Sequence, residues 1–264
     1  MFNLKLINYM NLEIKKLWRE TGMNSLIAIV LFGALLGVLY LVEMLIPSVS
    51  GQLLSFHDAA FCVGIPASII GVAYILSIKN PANYTGFYAG IVMSALLGIQ
   101  FFLNGLYDLT FLYFVVFIPF QIMSIRSWTK SSNSDSAEPF NPEFLNIKTM
   151  LLSLLAFVVI TLVDYVFATF VMHQDTLCDN ILGKFVSGAL IASSVLANYW
   201  LIYKKNDSWI YWIIYSFAGI TLNIIYLNIF SIVLFAFFLV INGMAGVAWI
   251  KMTPKENYGW LKGK

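Results

Sequence analysis

Eight long apolar runs dominate this chain of 264 residues. Each run has about the 20 residues that an α-helix needs to cross the hydrocarbon core of a bilayer. The least distinct boundary falls at residues 222–228, inside an apolar stretch that extends from Trp209 to Ile250. That stretch is too long for one span, so it must contain a helical hairpin. The eight runs cover residues 25–46, 58–78, 85–104, 109–127, 149–172, 181–203, 209–227 and 229–250.

The composition places the chain in lipid and excludes several classes of protein. Hydrophobic residues make up 60% of the chain and charged residues 11%, whereas a soluble domain carries about 25% charged residues. A soluble globular fold of this composition would expose far too much apolar surface. The same numbers argue against disorder and against nucleic-acid binding through a basic face. We therefore expect the lipid bilayer, and no nucleic acid, to surround the chain.

The positions of the basic residues test the number of spans. When the loops are assigned alternately to the two sides, Lys184 alone falls outside and the other fourteen of the fifteen basic residues fall inside. The positive-inside rule predicts this asymmetry, and adding or removing one span would destroy it. We therefore expect eight transmembrane helices with both termini in the cytoplasm. The inner set is Lys5, Lys15, Lys16, Arg19, Lys79, Arg126, Lys130, Lys148, Lys204, Lys205, Lys251, Lys255, Lys262 and Lys264.

Four segments of the chain lie outside the two repeated units that the next paragraph describes. Residues 1–24 carry no small-residue cleavage site and do not resemble a signal peptide. We interpret them as a cytoplasmic amphipathic segment on the membrane surface, with a plain polar tail as the alternative. Residues 25–57 form an extra transmembrane helix and its outer loop, and residues 129–180 form an inner loop and a linking helix. Residues 252–264 form a cytoplasmic tail.

Two parts of the chain, residues 58–128 and 181–251, resemble each other as three-helix units. In each, a helix is followed by a basic inner loop and then by a helix that begins with aromatic residues three positions apart. Each ends on a helix with a carboxamide, a small residue and a Trp at positions i, i+3 and i+7. The matched residues are Tyr84, Phe87, Gln121, Ser124 and Trp128 in the first unit, and Trp209, Trp212, Asn242, Ala245 and Trp249 in the second.

The spacing of the two units determines their relative orientation. The second unit starts four helices after the first, so both insert into the membrane in the same direction. Parallel repeats of this kind are related by an axis along the membrane normal, and transporters built from them bind substrate between the repeats. The predicted fold is therefore an all-α polytopic membrane protein with eight transmembrane helices. One helix is an N-terminal extra, and the other seven form a 3+1+3 parallel-repeat core.

The sequence contains no constellation that indicates an enzyme, a metal site or a cofactor site. It lacks a nucleophile–base pair and the acidic cluster that would hold Mg²⁺ against a phosphate-bearing lipid. His57 and His173 are predicted at outer helix ends, far from partners. Cys62 and Cys178 are both predicted near the outer face, where they either pair or remain free thiols.

Polar side chains inside the spans are the informative signal, because unpaired polar groups are costly in hydrocarbon. Asp164 is predicted in the middle of the fifth span, where it could neutralise a cationic substrate, carry a proton or bind neighbouring helices. Carboxamides in other spans could likewise bind ligand or bridge helices. They are Gln100, Asn104, Gln121, Asn198, Asn223 and Asn242.

Two helix faces favour ligand binding for some of these residues. One face of the seventh span carries four residues within about 60° of each other at 100° per residue, and they are Trp209, Trp212, Ser216 and Asn223. Asn242 is on the neighbouring helix, and Gln121 is its counterpart in the first unit. Indole rings beside carboxamides suit a flat heteroaromatic ligand that carries hydroxyl groups. For Trp209 an interfacial aromatic belt is an equally good interpretation.

These residues resemble the PnuC family of bacterial vitamin transporters over residues 58–251. Trp209-x-x-Trp212 resembles the family's Trp-x-x-Trp-x-x-x-Asn/Asp motif, and Asn242 resembles the Asn of its Asn-x-x-Tyr/Trp motif. Leu106-Tyr107-Asp108 and Pro119-x-Gln121 in the first unit are also similar. The chain departs from the family pattern at Ser216 and Ala245.

The resemblance implies a function, which we state as an expectation. The small-molecule substrate would be nicotinamide riboside, with thiamine, riboflavin and deoxynucleosides as alternatives. Transport would proceed by facilitated diffusion, and a cytosolic kinase would trap the product in a bacterial cell with this chain in its plasma membrane. The expected substrate-binding residues are Trp212, Trp209, Ser216, Asn242, Gln121, Asn223, Gln100 and Asp164.

Two further points stay open at the level of sequence. The chain could instead be the substrate-binding subunit of a larger vitamin uptake system that needs a separate energising partner. Both a monomer and a homo-oligomer also fit the sequence.

Overall fold

The computed structural model describes most of the chain and is helical in nearly all of it. The described residues are 2–46, 58–80, 83–105, 107–132, 142–170, 181–225 and 229–258. Within these ranges, eight helices are long and apolar enough to cross a membrane, which confirms the predicted number. His57, His173, Cys178 and Trp260 lie outside the described residues.

The helix bounds follow the predicted runs, with two differences. The helices are α1 (Phe2–Leu45), α2 (Ala59–Ile78), α3 (Gly86–Leu103), α4 (Tyr107–Phe111), α5 (Ile118–Ser132), α6 (Ile147–Phe170), α7 (Ile181–Ile202), α8 (Asp207–Ile225) and α9 (Ile229–Met252). The apolar stretch beginning at Trp209 does contain two helices, because α8 ends at Ile225 and α9 begins at Ile229.

The first difference is that α1 shows no break near residue 24. It is one helix of 44 residues that begins at Phe2 and contains both the polar segment and the first span. Residues 2–21 contain neither Gly nor Pro, and most are good helix formers, so the sequence supplies no signal that ends a helix there. Residues 2–24 are therefore continuous with the first transmembrane helix, and the placement of residues 1–24 on the membrane surface stays a prediction.

The second difference is a π-helical turn in the fourth span. This span consists of α4, a π-helix over Leu112–Phe117, and α5. A single π-helical turn inside an α-helix is rare and often marks a functional site. The turn before this span is tight, with Gly105 at a φ of +73°, a backbone conformation that a residue without Cβ adopts easily.

The six helices of the predicted repeat pack as two units, each in contact with the other at two places. We call α2, α3 and the fourth span the first unit, and α7, α8 and α9 the second unit. In the first unit α2 packs on α3 and α3 on α5, and in the second α7 packs on α8 and α8 on α9. Between the units, α5 packs on α7 and α9 packs on α2. The last helix of each unit thus contacts the first helix of the other, as a two-fold axis requires.

The remaining two helices occupy equivalent places outside these units. Helix α1 packs against α2, and α6 packs against α7. Each therefore covers the first helix of one unit. Large apolar side chains on both are exposed, for example Leu45 and Leu152, as expected of helices that face lipid.

A polar cluster on α1 holds the loop between α2 and α3. The Thr21 and Thr85 hydroxyls lie 2.6 Å apart, and Asn83 donates to Thr21 Oγ1 at 3.1 Å. Asn80 donates to both carboxylate oxygens of Glu20 at 2.9 and 3.0 Å. We call this cluster the first brace, and it ties the loop that follows Lys79 in the first unit to α1.

A short segment before α6, residues 142–146, holds the loop between α7 and α8 in the second unit. The Leu145 amide donates to Asp207 Oδ2 at 2.8 Å, and the Asn206 amide donates to the Glu143 carbonyl at 2.8 Å. The Lys205 ammonium lies 2.6 Å from the Glu143 carboxylate. Lys204 in the same loop has a φ of 59°, and its partial burial lowers the pKa of its ammonium group. We call residues 142–146 and their partners the second brace.

Candidate functional site

A cavity of about 510 Å³ lies between the two units. This volume is within the range of about 300–1,000 Å³ that is typical of small-molecule sites. Its lining residues come from both units, and none of the described residues of α1 or α6 is among them. The cavity is therefore in the place where parallel-repeat transporters bind substrate.

The cavity extends from one end of the bundle along most of the length of α2. At its mouth are Asp58 and Asn104, which are exposed, together with Asn223. At its floor are Tyr74, Gln121 and other buried residues. Tyr74 is sixteen residues beyond Asp58, so the cavity follows α2 for about 24 Å at 1.5 Å per residue. The other end of the bundle, which carries Lys79, Lys204 and Lys251, we call the basic end.

Gln121 is held at the floor by a hydrogen-bond chain that crosses between the units. Asn198 donates through Nδ2 to the Ser194 carbonyl at 2.9 Å. Because a carbonyl can only accept, this bond turns Asn198 Oδ1 toward Gln121, which donates to it through Nε2 at 3.1 Å. Gln121 Nε2 also donates to the Tyr74 hydroxyl at 3.3 Å. The network therefore fixes the orientation of the Gln121 carboxamide and leaves its Oε1 without a hydrogen-bond partner among the described residues.

Asn242 is held in the same way, but within the second unit. Its Nδ2 donates to the Trp212 carbonyl at 3.3 Å and to Ser216 Oγ at 3.1 Å. Ser216 Oγ in turn donates to the Trp212 carbonyl at 2.9 Å. The accept-only carbonyl again fixes the carboxamide orientation, so that Asn242 Oδ1 is left over.

Three buried polar atoms of these lining residues have no hydrogen-bond partner among the described residues. They are Gln121 Oε1, Asn242 Oδ1 and Trp212 Nε1. The three side chains are only 1%, 1% and 7% exposed. An unpaired buried polar group costs about 1–3 kcal/mol, so three of them on side chains that line one cavity mark this wall as a candidate ligand site. Two are acceptors and one is a donor.

Three indole rings close the cavity toward the basic end. Trp249 lies between Trp128 and Trp209, with ring centroids 5.8 and 5.5 Å apart. None of the three is more than 2% exposed. They belong to α5, α8 and α9, so this tryptophan plug joins both units below the floor.

Two indole hydrogen bonds connect the plug across the units in a reciprocal way. Trp128 in the first unit donates to the Leu201 carbonyl of α7 at 3.2 Å. Trp249 in the second unit donates to the Ile78 carbonyl of α2 at 3.3 Å. Each carbonyl belongs to one of the last two residues of the first helix in the other unit. This exchange is what an internal two-fold axis produces.

The π-helical turn contributes an aromatic side chain to the cavity wall. It carries Tyr113, and Tyr215 of α8 lines the same cavity. Tyr113 also packs against Phe101 and Phe117, with ring centroids 5.3 and 4.7 Å away. All four side chains line the cavity.

The structure brings five of the eight predicted site residues to the cavity wall and leaves three elsewhere. Those on the wall are Trp212, Asn242, Gln121, Asn223 and Gln100. Trp209 is buried in the plug, and Ser216 is buried behind the wall, where it supports Asn242. Asp164 is half-buried on α6, which contributes no lining residue, so its position favours a structural role over substrate contact.

Sequence reasoning missed several lining residues because their signal depends on packing. Tyr74, Tyr113 and Tyr215 are single aromatic residues in apolar helices, and only their contacts distinguish them from core residues. Gly90 on α3 is a further residue that the sequence does not single out as part of the site. A Cβ at this position would lie 2.7 Å from Gln121 Oε1, so the glycine leaves room for the carboxamide.

Among the described residues, no group of three His, Cys, Asp or Glu side chains could hold a metal ion. Cys62 is exposed, and its predicted alternative partner Cys178 lies outside the described ranges.

Comparison with known proteins confirms the resemblance. The family model described as nicotinamide mononucleotide transporter matches residues 61–251, well over half of the chain. A solved structure described as the crystal structure of the vitamin B3 transporter PnuC is similar in fold, with a TM-score of 0.59. Its sequence is 17% identical, and the match covers 88% of this chain and 93% of that one. No curated protein sequence matches significantly. The chain belongs to the nicotinamide mononucleotide transporter family.

Proposed function

We propose that this protein transports a small, flat, vitamin-like nucleoside across a bacterial plasma membrane, with nicotinamide riboside as the first candidate. The observation that carries the proposal is the set of three unpaired buried atoms at the cavity. Gln121 Oε1 and Asn242 Oδ1 would accept hydrogen bonds from ribose hydroxyls or an amide, and Trp212 Nε1 would donate one. The Trp212 ring supplies a stacking surface for a heterocycle.

The charge of the cavity favours a nucleoside over a nucleotide. Among the described lining residues there is no Lys, Arg or His. A phosphate group in a low-dielectric site needs cationic or multiple N–H partners to offset its desolvation. We therefore propose that the substrate is unphosphorylated, although the family is described by a mononucleotide.

The small number of charged residues along the described wall also supports facilitated diffusion, since Asp58 at the mouth is the only acidic or basic side chain among the described lining residues. No series of carboxylates or amines extends from the mouth to the floor, so no described path carries protons with the substrate. The two units would move relative to each other around the cavity, and a cytosolic kinase would trap the product by phosphorylation. The basic end would face the cytoplasm, together with both termini.

Binding and transport can be tested separately. A thermal-shift screen of the purified protein should show the largest stabilisation with nicotinamide riboside, and less with thiamine, riboflavin, deoxynucleosides or nicotinamide mononucleotide. Stabilisation by the mononucleotide alone would contradict the proposed substrate.

Transport is measured with the purified chain in liposomes. Nicotinamide riboside should equilibrate across the membrane without an added energy source, and an uncoupler should not slow it. Uptake that collapses with the uncoupler would show proton coupling. Binding without transport would favour the alternative of a substrate-binding subunit that needs an energising partner.

A further inference from the structure

A single carboxylate stands at the mouth of the cavity. Asp58 precedes α2, is exposed and lines the cavity. Its side chain accepts a hydrogen bond from the Ala60 amide at 2.9 Å and so caps the helix. Among the described lining residues it is the only one with an acidic or basic side chain.

The wall behind Asp58 also presents partial negative charge. Nine of the lining side chains are aromatic, and aromatic ring faces attract cations. The two unpaired atoms Gln121 Oε1 and Asn242 Oδ1 are acceptors, and both side chains are 99% buried. A positively charged solute thus meets Asp58 at the mouth and aromatic side chains along the wall, whereas an anion meets no compensating charge among the described lining residues.

We propose that Asp58 is a specificity-determining residue that favours heteroaromatic cations over neutral nucleosides of the same size. This inference rests on the proposed transport function and deepens it. It divides the candidate substrates by charge, since nicotinamide riboside and thiamine are cations, while riboflavin and deoxynucleosides are neutral.

Distance determines which step Asp58 controls. About 24 Å separate it from Tyr74 at the floor, if α2 rises 1.5 Å per residue. Exposed charges are screened beyond about 8 Å at physiological ionic strength. Asp58 therefore acts on the approach of the solute to the cavity and has little effect on the solute bound at the floor. Its effect should depend on salt, as electrostatic steering does.

The test compares two nearly isosteric solutes in liposomes that contain the full chain. Nicotinamide riboside carries one positive charge, and its reduced dihydro form is neutral with the same ribose. Asp58→Asn removes the charge but keeps the cap, because Asn caps helices as well as Asp does. We expect the initial uptake rate of the cation at low concentration and low salt to fall about threefold to tenfold. Uptake of the neutral form should stay unchanged, and high salt should abolish the difference.

A matched control separates local from general charge effects. Glu43 lies near the end of α1 at the same end of the bundle, and it does not line the cavity. Glu43→Gln removes the same charge and should leave both rates unchanged. An equal loss for both solutes in Asp58→Asn, or an equal loss in Glu43→Gln, would overturn the role of Asp58.

The outcomes also distinguish this inference from the proposed function. If the unmodified protein transports both solutes and Asp58→Asn changes neither rate, only the inference fails. If the unmodified protein transports neither these solutes nor the second pair, thiamine and riboflavin, both proposals fail.

Discussion

The two three-helix units share a frame but contribute differently to the cavity. Their plug tryptophans exchange equivalent hydrogen bonds, from Trp128 to Leu201 and from Trp249 to Ile78. The aromatic positions that follow their basic loops have diverged. Trp212 lines the cavity, whereas its counterpart Phe87 is fully buried against Trp128 and is not a lining residue. A symmetric frame thus carries an asymmetric cavity wall, which suits the asymmetric solute proposed above.

The carboxamides at equivalent positions differ in the same way. Gln121 bonds across to Asn198 in the second unit, whereas Asn242 bonds only to Trp212 and Ser216 of its own unit. We infer that Gln121 both joins the units and contacts the solute, whereas Asn242 contacts the solute without joining the units.

Replacing Trp212, the indole of the second unit that lines the cavity, should have the largest effect on binding. In Trp212→Ala, we expect the Kd for the substrate to rise at least about 30-fold, since truncating a buried Trp anchor costs about 2 kcal/mol or more. Phe87→Leu in the first unit should lower thermal stability but leave the Kd within about twofold, because the ring is not on the wall. Trp260→Ala should change neither. Isothermal titration and thermal shift measure these effects, and equal losses of binding in Trp212→Ala and Phe87→Leu would refute the asymmetry.

Removing each carboxamide should separate the two roles. Gln121→Leu strands Asn198 Oδ1 and removes the partner of the Tyr74 hydroxyl, so unfolding should become easier by about 1–2 kcal/mol. Asn242→Leu leaves fewer polar groups without a hydrogen-bond partner, because Ser216 still donates to the Trp212 carbonyl. Both variants should weaken binding, but only Gln121→Leu should clearly lower the melting temperature. The reverse order of melting temperatures would contradict the assigned difference.

The plug should show symmetry where the wall does not. Trp128→Phe and Trp249→Phe each remove one indole hydrogen bond to a carbonyl, worth about 1 kcal/mol. We expect nearly equal decreases in melting temperature for the two variants. A decrease in only one of them would show that the reciprocal bonds do not contribute equally.

The smallest effect should come from the ion pair of the second brace. Glu143 is 43% exposed in its side chain, and exposed ion pairs contribute about 0–1 kcal/mol. Glu143→Gln should therefore change the melting temperature little, and not at all at high salt. Thr21→Val in the first brace should cost more, since its hydroxyl is buried between α1 and the loop at Asn83 and Thr85.

Much of this frame could be predicted from the sequence, because lipid imposes simple rules. Span length and basic-loop asymmetry predict the number of helices, and the parity of the repeat predicts that the two units run in the same direction. The continuity of α1 escaped prediction because charged residues at a helix end resemble a surface segment. The π-helical turn at Tyr113 was not predicted, because nothing in an apolar run distinguishes i→i+5 from i→i+4 backbone hydrogen bonds.

The site was harder to predict than the frame. Trp212 and Asn242 do lie on neighbouring helices, as the sequence predicted. The shared face of a helix does not, however, show which residues line a cavity and which are buried one turn away. Trp209 and Ser216 share that face and are buried behind the wall. Asp164 stood out for its charge alone, and charge carries no information on which neighbour a helix faces.

The equivalent positions of α1 and α6 have a consequence for how the chain could be assembled. Residues 2–132 contain four of the membrane-spanning helices, and residues 142–258 contain the other four. The contacts of the second brace are all made within residues 142–258. A nick within residues 133–141 would therefore separate two polypeptides with the same direction of insertion. Co-expressed as independent chains, the two fragments should recombine in the bilayer into the intact fold.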